Sequence, residues 1–120
     1  MKPFSRSDRV GGLIKQVLAE LLQKHISDPR LTITTITDVV VSRDLRLAKI
    51  YFSTSGGKEA VQGALDGFER GRGFIKRELA QRLTLRYMPD LQFYYDESID
   101  YGARIEKLLK AVKKDDADDR

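Results

Sequence analysis

The spacing of hydrophobic residues divides the chain into helical and extended segments. Near the amino terminus they recur at every third or fourth position, and Ser5 followed by Asp8 has the spacing of a helix-capping pair. Proline lacks an amide hydrogen, so this long first helix is predicted to stop at Asp28-Pro29-Arg30. Its predicted core stripe comprises Val10, Leu13, Ile14, Val17, Leu18, Leu21, Leu22 and Ile26.

Three segments have the composition or the alternation of β-strands. Residues 31–42 are mostly threonine, isoleucine and valine, whose β-branched side chains suit a pleated surface. A turn at Ser42-Arg43-Asp44 precedes residues 47–52, where every second side chain suits one face of a sheet. Residues 91–95 alternate in the same way after a break at Met88-Pro89-Asp90. The first two strands are predicted to form a hairpin.

Two short helices are predicted to meet at Gly71-Arg72-Gly73. Apolar residues keep helical spacing from Ala60 to Phe68, and again from Ile75 to Leu83. Because glycine adopts backbone angles that are closed to other residues, the chain is expected to kink there without a long loop.

The order of these elements predicts a single α+β domain at residues 1–112 and a flexible charged tail at residues 113–120. A last helix, capped by Asp96 or Ser98, is expected to complete the domain. The tail has no apolar residue except Ala117, so it buries too little surface to offset its ordering entropy. We expect the helices on one face of a three-stranded sheet. The apolar stripe of the last helix comprises Ile99, Ala103, Ile105, Leu108, Leu109 and Val112.

Composition narrows the compartment and the class of protein. A chain of 120 residues with 41% hydrophobic content is long enough for one core. The absence of cysteine removes disulfides and thiolate metal sites, so a reducing compartment, the cytoplasm, is expected. No stretch approaches the roughly 18 continuous apolar residues of a membrane span. We therefore expect a soluble protein with no membrane partner.

A cluster of basic residues around the predicted kink is the strongest functional signal. The chain has 22 lysine and arginine residues against 18 acidic ones, a modest excess, but clustering favours a polyanion. A solvated helix face is the alternative explanation. Arg77 lies opposite the stripe of Ile75 and Leu79 and is expected to point outward, whereas Arg82 flanks the stripe. The candidate RNA-binding residues are Arg70, Gly71, Arg72, Gly73, Lys76, Arg77, Arg82 and Arg86 near the kink, with Arg6 and Arg9 in helix one and Arg43 and Arg46 at the hairpin as secondary candidates.

Two other features have both a functional and a structural explanation. Tyr51, Tyr94 and Tyr95 could stack on bases, as in sheet-based RNA readers, but packing within the sheet is favoured. At Asp28-Pro29-Arg30 the helix stop explains the proline, which leaves Arg30 as a candidate contact.

Catalysis is the function that the sequence supports least. His25 is the only histidine, and no second imidazole or thiol exists to form a metal site or a nucleophile–base pair. Asp96, Glu97 and Asp100 could be the carboxylates of a metal-dependent nuclease, but acidic residues at a helix start stabilise its free amides without further purpose. No catalytic residue, metal or cofactor is therefore expected.

The order of the elements resembles a type II KH-like αββααβ domain, whose helix–helix corner usually carries a GxxG loop that clamps backbone nucleotides. Here Gly71-Arg72-Gly73 stands in place of that loop.

The segments that carry a closer resemblance are Arg9-Val10, Asp28-Pro29-Arg30, Ile36-Thr37-Asp38-Val39, Val41-Ser42-Arg43-Asp44-Leu45, Ala48-Lys49-Ile50-Tyr51, Gly73-Phe74-Ile75-Lys76, Leu85-Arg86-Tyr87-Met88-Pro89-Asp90-Leu91, Phe93-Tyr94-Tyr95-Asp96 and Ser98. In their order and spacing they resemble bacterial ribosome-binding factor A. That family's corner usually reads Ala-x-Gly, and Gly71 replaces the alanine.

The resemblance implies a ribosome biogenesis factor that binds free 30S subunits, not 70S ribosomes. Such a factor assists late maturation of the 5′ end of 16S rRNA and matters most in the cold. It implies 16S rRNA and the 30S subunit as partners, with ribosomal proteins and an assembly GTPase as further candidates, and a monomer in solution. The alternative is a protein–protein adaptor that docks through a sheet edge or the tail.

Overall fold

The computed structural model describes residues 5–98 and 106–110. An α+β arrangement with a three-stranded sheet is present, as predicted. The first predicted strand is shorter than expected, because Leu31 and Thr32 belong to a short helix. The elements are α1 (Arg6–Lys24), α2 (Pro29–Thr32), β1 (Thr35–Val41), β2 (Leu47–Ser53), α3 (Gly57–Arg82) and β3 (Asp90–Tyr95).

The first helix begins as its sequence predicts, but it ends at Lys24, short of the predicted stop, and Pro29 is instead the first residue of α2. The Ser5 side chain accepts a hydrogen bond from the amide of Asp8, and the Asp8 carboxylate accepts one from the amide of Ser5. These two bonds satisfy amides that a helix start otherwise leaves free. Most of the predicted stripe is buried, but Leu13 is exposed and its assignment to the core is wrong. Gly11, which was not in the predicted stripe, is buried where α1 packs closely against β1.

The sheet has the order β1-β2-β3. Strands β1 and β2 form the predicted antiparallel hairpin, with an irregularity in register between Ile36 and Asp38. Strand β3 pairs with β2 in parallel. A parallel neighbour needs a crossover connection, and α3 supplies it between the end of β2 and the start of β3.

The core lies between one face of the sheet and the helices α1 and α3. Ile50 pairs with Val39 on one side and Phe93 on the other, and all three are buried. The Phe68 ring of α3 stacks on Phe93 with centroids 4.4 Å apart, and it also packs against Phe52 at 5.1 Å. These aromatic contacts hold α3 against the sheet.

The predicted corner at Gly71-Arg72-Gly73 is not a break, and the prediction of two short helices is wrong. A single α-helix of 26 residues runs from Gly57 to Arg82. Among the described glycines, positive φ angles occur at Gly56 (113°) and Gly57 (78°), at the start of α3 and not at the predicted corner. Glycine inside a helix costs about 1 kcal/mol relative to alanine, and burial of the apolar face on both sides outweighs that cost.

Close packing explains another glycine of α3. A Cβ atom at Gly67 would lie 3.0 Å from Leu31 Cδ2 and 3.3 Å from Asp28 Oδ2, so its absence lets α2 approach α3. Asp28 caps α2 by accepting a hydrogen bond from the amide of Arg30 at 3.0 Å, and its Oδ2 accepts one from Arg30 Nη2 at 2.8 Å. The hydrogen bond from Arg30 lowers the pKa of Asp28. The residues predicted to stop the first helix therefore begin α2 instead, and they pack against α3.

The predicted last helix is only partly described. Residues 106–110 are helical, and Leu108 and Leu109 are 62% and 57% exposed, so their predicted burial is wrong. The other residues of its predicted stripe and the predicted tail at residues 113–120 lie outside the described residues. None of the helices in the described part of the chain is long and apolar enough to cross a membrane.

We expect Gly11→Ala to destabilise the fold. Its Cβ would lie 2.8 Å from the carbonyl oxygen of Val39, and a backbone atom in β1 has little freedom to move away. Overpacking of this kind costs about 1–3 kcal/mol, measurable by denaturant unfolding. Gly12→Ala is the matched control, because its Cβ would meet no atom within 4 Å and should stabilise α1 by up to about 1 kcal/mol. Equal stability of the two variants would contradict the close contact.

Asp28→Asn should make stability at acid pH less dependent on pH. Because Arg30 lowers the pKa of Asp28 in the folded state, the carboxylate adds stability that is present above its ordinary pKa. That contribution is lost as the pH falls through the lower, folded-state pKa. The variant should therefore be less stable than the parent at pH 7, and thermal unfolding should show the difference shrinking at strongly acid pH. Glu20→Gln, at an exposed position on α1, is the control; a pH-independent difference for Asp28→Asn would contradict the prediction.

Candidate nucleic-acid interface

Three residues on the outside of α3 form a surface that we call the outer helix face: Arg70, Gly73 and Arg77. Their spacing of three and four residues places them on one side of the helix, opposite the buried Phe68 and Ile75. All three are exposed. The predicted outward position of Arg77 is therefore confirmed.

The outer helix face is open and positively charged. Neither Arg70 nor Arg77 forms an ion pair with another described residue. A Cβ atom at Gly73 would have no other atom within 4 Å, so nothing in the described chain covers the backbone there. The guanidinium groups of Arg70 and Arg77 thus lie on either side of the bare backbone at Gly73, an arrangement suited to binding phosphate oxygens.

Other basic residues of the predicted cluster contact acidic neighbours. Arg72 forms an ion pair with Glu69, and its Nε is buried without a hydrogen-bond partner among the described residues. Arg82 Nε lies 3.5 Å from Glu78 Oε2. Exposed pairs of this kind contribute about 0–1 kcal/mol, but they reduce the local positive potential. Gly71 is half-buried, and a Cβ atom there would lie 3.8 Å from Ile75 Cδ1 of the same helix.

Lys76 joins α3 to the start of β3. Its Nζ donates a hydrogen bond to Asp90 Oδ1 at 2.7 Å. This contact lowers the pKa of Asp90, and the charge of Arg72 nearby adds to the effect. The negative charge of Asp90 is therefore already balanced by Lys76.

A second basic site, which we call the arginine pocket, brings together Arg6, Arg46, Arg86 and Tyr87. It has a volume of about 670 Å³. The three arginines come from the start of α1, from the β1–β2 turn and from the segment between α3 and β3. Arg86 Cζ lies 5.6 Å from the centroid of the Tyr87 ring, within the range of a cation–π contact. Arg6 and Arg46, both secondary candidates, thus line the same pocket as Arg86 of the main cluster.

The β1–β2 turn holds Arg46 in place. Leu45 has a φ of 62°, in the left-handed region that a leucine rarely occupies. Asp44 Oδ1 accepts hydrogen bonds from Ser42 Oγ at 2.6 Å and from the amide of Arg46 at 3.1 Å, and the Ser42 bond is the main cause of a lowered pKa at Asp44. The carbonyl of Arg46 accepts a bond from the amide of Asp90 at 2.8 Å. The turn is therefore tied to β3.

The remaining predicted residues lie apart from these two sites. Arg9 and Arg43 are exposed and do not line the arginine pocket, and Arg30 is engaged by Asp28. Tyr87 was not among the residues selected from the sequence. It lies beside Arg86 in one of the segments that carry the family resemblance, and this was the available signal in the sequence.

The tyrosines of the sheet pack mainly with one another and with the core. Tyr51 and Tyr94 stack at 5.6 Å on the face of the sheet away from the core, and Tyr95 packs edge-on against Phe52 at 6.0 Å. Packing within the sheet is thus present as predicted. Base stacking on the exposed part of Tyr94 stays a hypothesis.

The residues considered for catalysis have structural partners or open surroundings. Asp96 Oδ2 accepts a hydrogen bond from Thr37 Oγ1 at 2.6 Å, and hydrogen bonds from Ser98 and Thr37 lower the pKa of Asp96. His25 is exposed at the end of α1. Within the described ranges, no three His, Cys, Asp or Glu residues are grouped so that they could hold a metal ion. Asp100 lies outside those ranges.

Comparison with known proteins gives a consistent result along most of the chain. A sequence model described as ribosome-binding factor A matches residues 6–109. The ribosome-binding factor A of Desulfatibacillum aliphaticivorans is 48% identical over 112 residues, which cover 93% of this chain and 91% of that protein. The corresponding protein of Staphylococcus carnosus is 43% identical, with coverage of 92% and 96%.

Solved structures agree with the sequence match. The crystal structure of ribosome-binding factor A from Thermus thermophilus has a TM-score of 0.66 at 29% identity, over 74% of this chain and 94% of that one. A homology model of the same factor, fitted into a cryo-EM map of a 30S complex, has a TM-score of 0.61 at 30% identity, over 72% and 91%. The likeness is consistent with a KH-like fold. The chain belongs to the ribosome-binding factor A family.

Proposed function

We propose that this chain binds the small ribosomal subunit while the subunit is being assembled. Family membership supports the proposal, together with the Thermus thermophilus relative that was fitted into a map of a 30S complex. In its finer form, the proposal is that the chain binds free 30S subunits and not 70S ribosomes. There it assists late maturation of the 5′ end of 16S rRNA, with its greatest importance in the cold.

The proposed mechanism uses binding energy and no cofactor. A protein favours one arrangement of rRNA by as much as it binds that arrangement more tightly than the competing ones. Contacts with phosphates orient a protein on folded RNA, and the shape of the RNA supplies selectivity. The proposed partners are therefore 16S rRNA and the 30S subunit, with ribosomal proteins and an assembly GTPase as further candidates.

The outer helix face is the observation that carries this proposal. Arg70 and Arg77 are exposed without an ion-pair partner among the described residues, so a phosphate need not displace a carboxylate, although the charge of Asp28 attracts Arg70 from nearby. The bare backbone at Gly73 lies between them and permits close approach of a sugar-phosphate strand. The surface is therefore exposed and carries two basic side chains, as contact with a strand of rRNA requires.

The basic residues that form ion pairs extend this surface, but each contributes less binding energy. Their ion pairs are exposed and weak, so a phosphate competes with the carboxylate for the guanidinium or ammonium group. Rearrangement of these pairs costs part of the binding energy, and their contribution is accordingly smaller than that of Arg70 and Arg77. The residues concerned are Arg72, Lys76 and Arg82.

We expect Arg77→Ala to weaken association with free 30S subunits and to flatten its salt dependence. Loss of one phosphate contact should lower the slope of log affinity against log salt by about 0.7 if the RNA there is single-stranded and by about 0.9 if it is a duplex. Sucrose gradients over a series of salt concentrations measure both effects, and the parent protein should sediment with 30S and not with 70S particles. Lys58→Ala, at the exposed start of the same helix, is the charge-matched control.

An unchanged affinity and slope for Arg77→Ala would remove the outer helix face from the interface. Ribonuclease treatment before capture separates the proposal from the adaptor alternative. An RNA-binding factor loses its partner under that treatment, whereas an adaptor that docks on protein keeps it.

Gly73→Ala should raise stability and lower 30S affinity together. The added methyl group meets no atom of the described chain, and alanine is favoured over glycine in a helix by about 1 kcal/mol. The same methyl group would hold a nucleic-acid strand away from the backbone. Thermal unfolding and 30S binding measure the two effects. Gly12→Ala is the control, since it should stabilise α1 without a change in binding, and unaltered binding by Gly73→Ala would exclude close approach at that position.

A further inference from the structure

The arginine pocket carries an excess of positive charge that the fold itself does not use. In the described chain, Arg6, Arg46 and Arg86 form no ion pair, although two carboxylates also line the pocket. The Asp90 carboxylate is paired with a lysine, whereas the charge of the Asp44 carboxylate, which is hydrogen-bonded within the turn, still attracts Arg46. Asp44 accepts hydrogen bonds from a serine hydroxyl and a backbone amide of the turn, and Asp90 accepts one from the lysine of α3. Three guanidinium groups against the one carboxylate without an ion pair leave the pocket with a net positive charge for an anionic ligand.

The pocket is held together by backbone contacts between distant parts of the chain. The hydrogen bond from the Asp90 amide to the Arg46 carbonyl fixes the β1–β2 turn against the start of β3. Leu45, beside Arg46, keeps a left-handed backbone conformation that is costly for a leucine. Such strain persists where the surrounding structure holds it, and it is found most often at functional sites.

Tyr87 gives the pocket a second kind of chemistry. Its side chain is 74% exposed, although a large aromatic ring gains by burial. Arg86 lies against the ring, so the positive charge and the aromatic face are adjacent. Proteins that bind single-stranded nucleic acid combine cations for the backbone with aromatic rings on which bases stack. An acidic peptide would use the cations and leave the ring without a partner.

We infer that the arginine pocket binds one unstacked nucleotide of a single-stranded RNA segment, with its flanking phosphates on Arg6, Arg46 and Arg86 and its base on Tyr87. The inference deepens the proposed function, on which it rests, by assigning a single-stranded subsite separate from the outer helix face. A volume of about 670 Å³ lies within the usual range for small-ligand sites and admits a nucleotide.

Fluorescence anisotropy with dye-labelled hexauridine tests the inference. Tyr87→Leu should weaken binding about tenfold without a change in salt dependence, because stacking involves no counterion. Tyr87→Phe should bind like the parent, since it keeps the ring. Arg46→Ala should lower the slope of log affinity against log salt by about 0.7, the value for one phosphate of a single strand. The two substitutions thus have separate signatures.

Two controls show whether the effects belong to this pocket. Val40→Ala shortens an exposed apolar side chain on β1, and Lys58→Ala removes an exposed charge at the start of α3. Both should leave hexauridine binding unchanged. The inference is overturned if Tyr87→Leu binds as tightly as the parent, or if Arg46→Ala has no larger effect than Lys58→Ala. It is also overturned if hexaglutamate binds as tightly as hexauridine, which would assign the pocket to an acidic protein segment.

Subunit binding separates failure of this inference from failure of the proposed function. If the parent sediments with 30S subunits while the Tyr87 and Arg46 variants bind hexauridine normally, only the pocket assignment is wrong. If the parent does not sediment with 30S subunits but the pocket variants lose hexauridine binding as expected, the proposed function is wrong and the RNA subsite stands. Circular dichroism of each variant checks that the fold is retained.

Discussion

The packing of α3 on the sheet is the contact from which the positions of both candidate sites follow. Stacking of Phe68 on Phe93 fixes the helix against β3, and burial of Ile75 and Leu79 extends the contact toward its end. Because the stripe faces the core, residues on the other side of the helix face solvent, and Arg70 and Arg77 are among them. The same packing sets where the chain leaves α3 on its way to β3, and this segment supplies Arg86 and Tyr87.

Glycines in α3 serve different physical purposes that composition does not distinguish. Gly67 makes room for Leu31 and Asp28, so its lack of a side chain is required by packing. A Cβ atom at Gly73 would meet no neighbouring group in the described chain, so the glycine weakens the helix without improving the core. A cost that packing does not explain is consistent with a role at the surface, and the flanking arginines indicate what kind of ligand that surface suits.

Ion pairs divide the basic residues into engaged and available groups. Lys76, Arg72 and Arg82 lie beside carboxylates, whereas the outer helix face and the arginine pocket keep guanidinium groups without such partners among the described residues. Net charge alone is a weak guide, since the whole chain has a formal charge of only +4. The arrangement of the charges, and not their number, makes these two surfaces suitable for RNA.

The sequence by itself determined the three strands, the hairpin and the capped start of α1, because hydrophobic period and turn residues are local signals. The resemblance of short segments, in their order and spacing, identified the family. The sequence also identified Arg77 as outward-facing, since helical spacing relates it to its own stripe. Only the tertiary structure decided that Gly71 and Gly73 lie inside one continuous helix, because burial on both sides outweighs the local preference of glycine for a break. It alone also brought Arg6, Arg46 and Arg86 to one pocket, since residues so distant in sequence meet through the packing of separate elements.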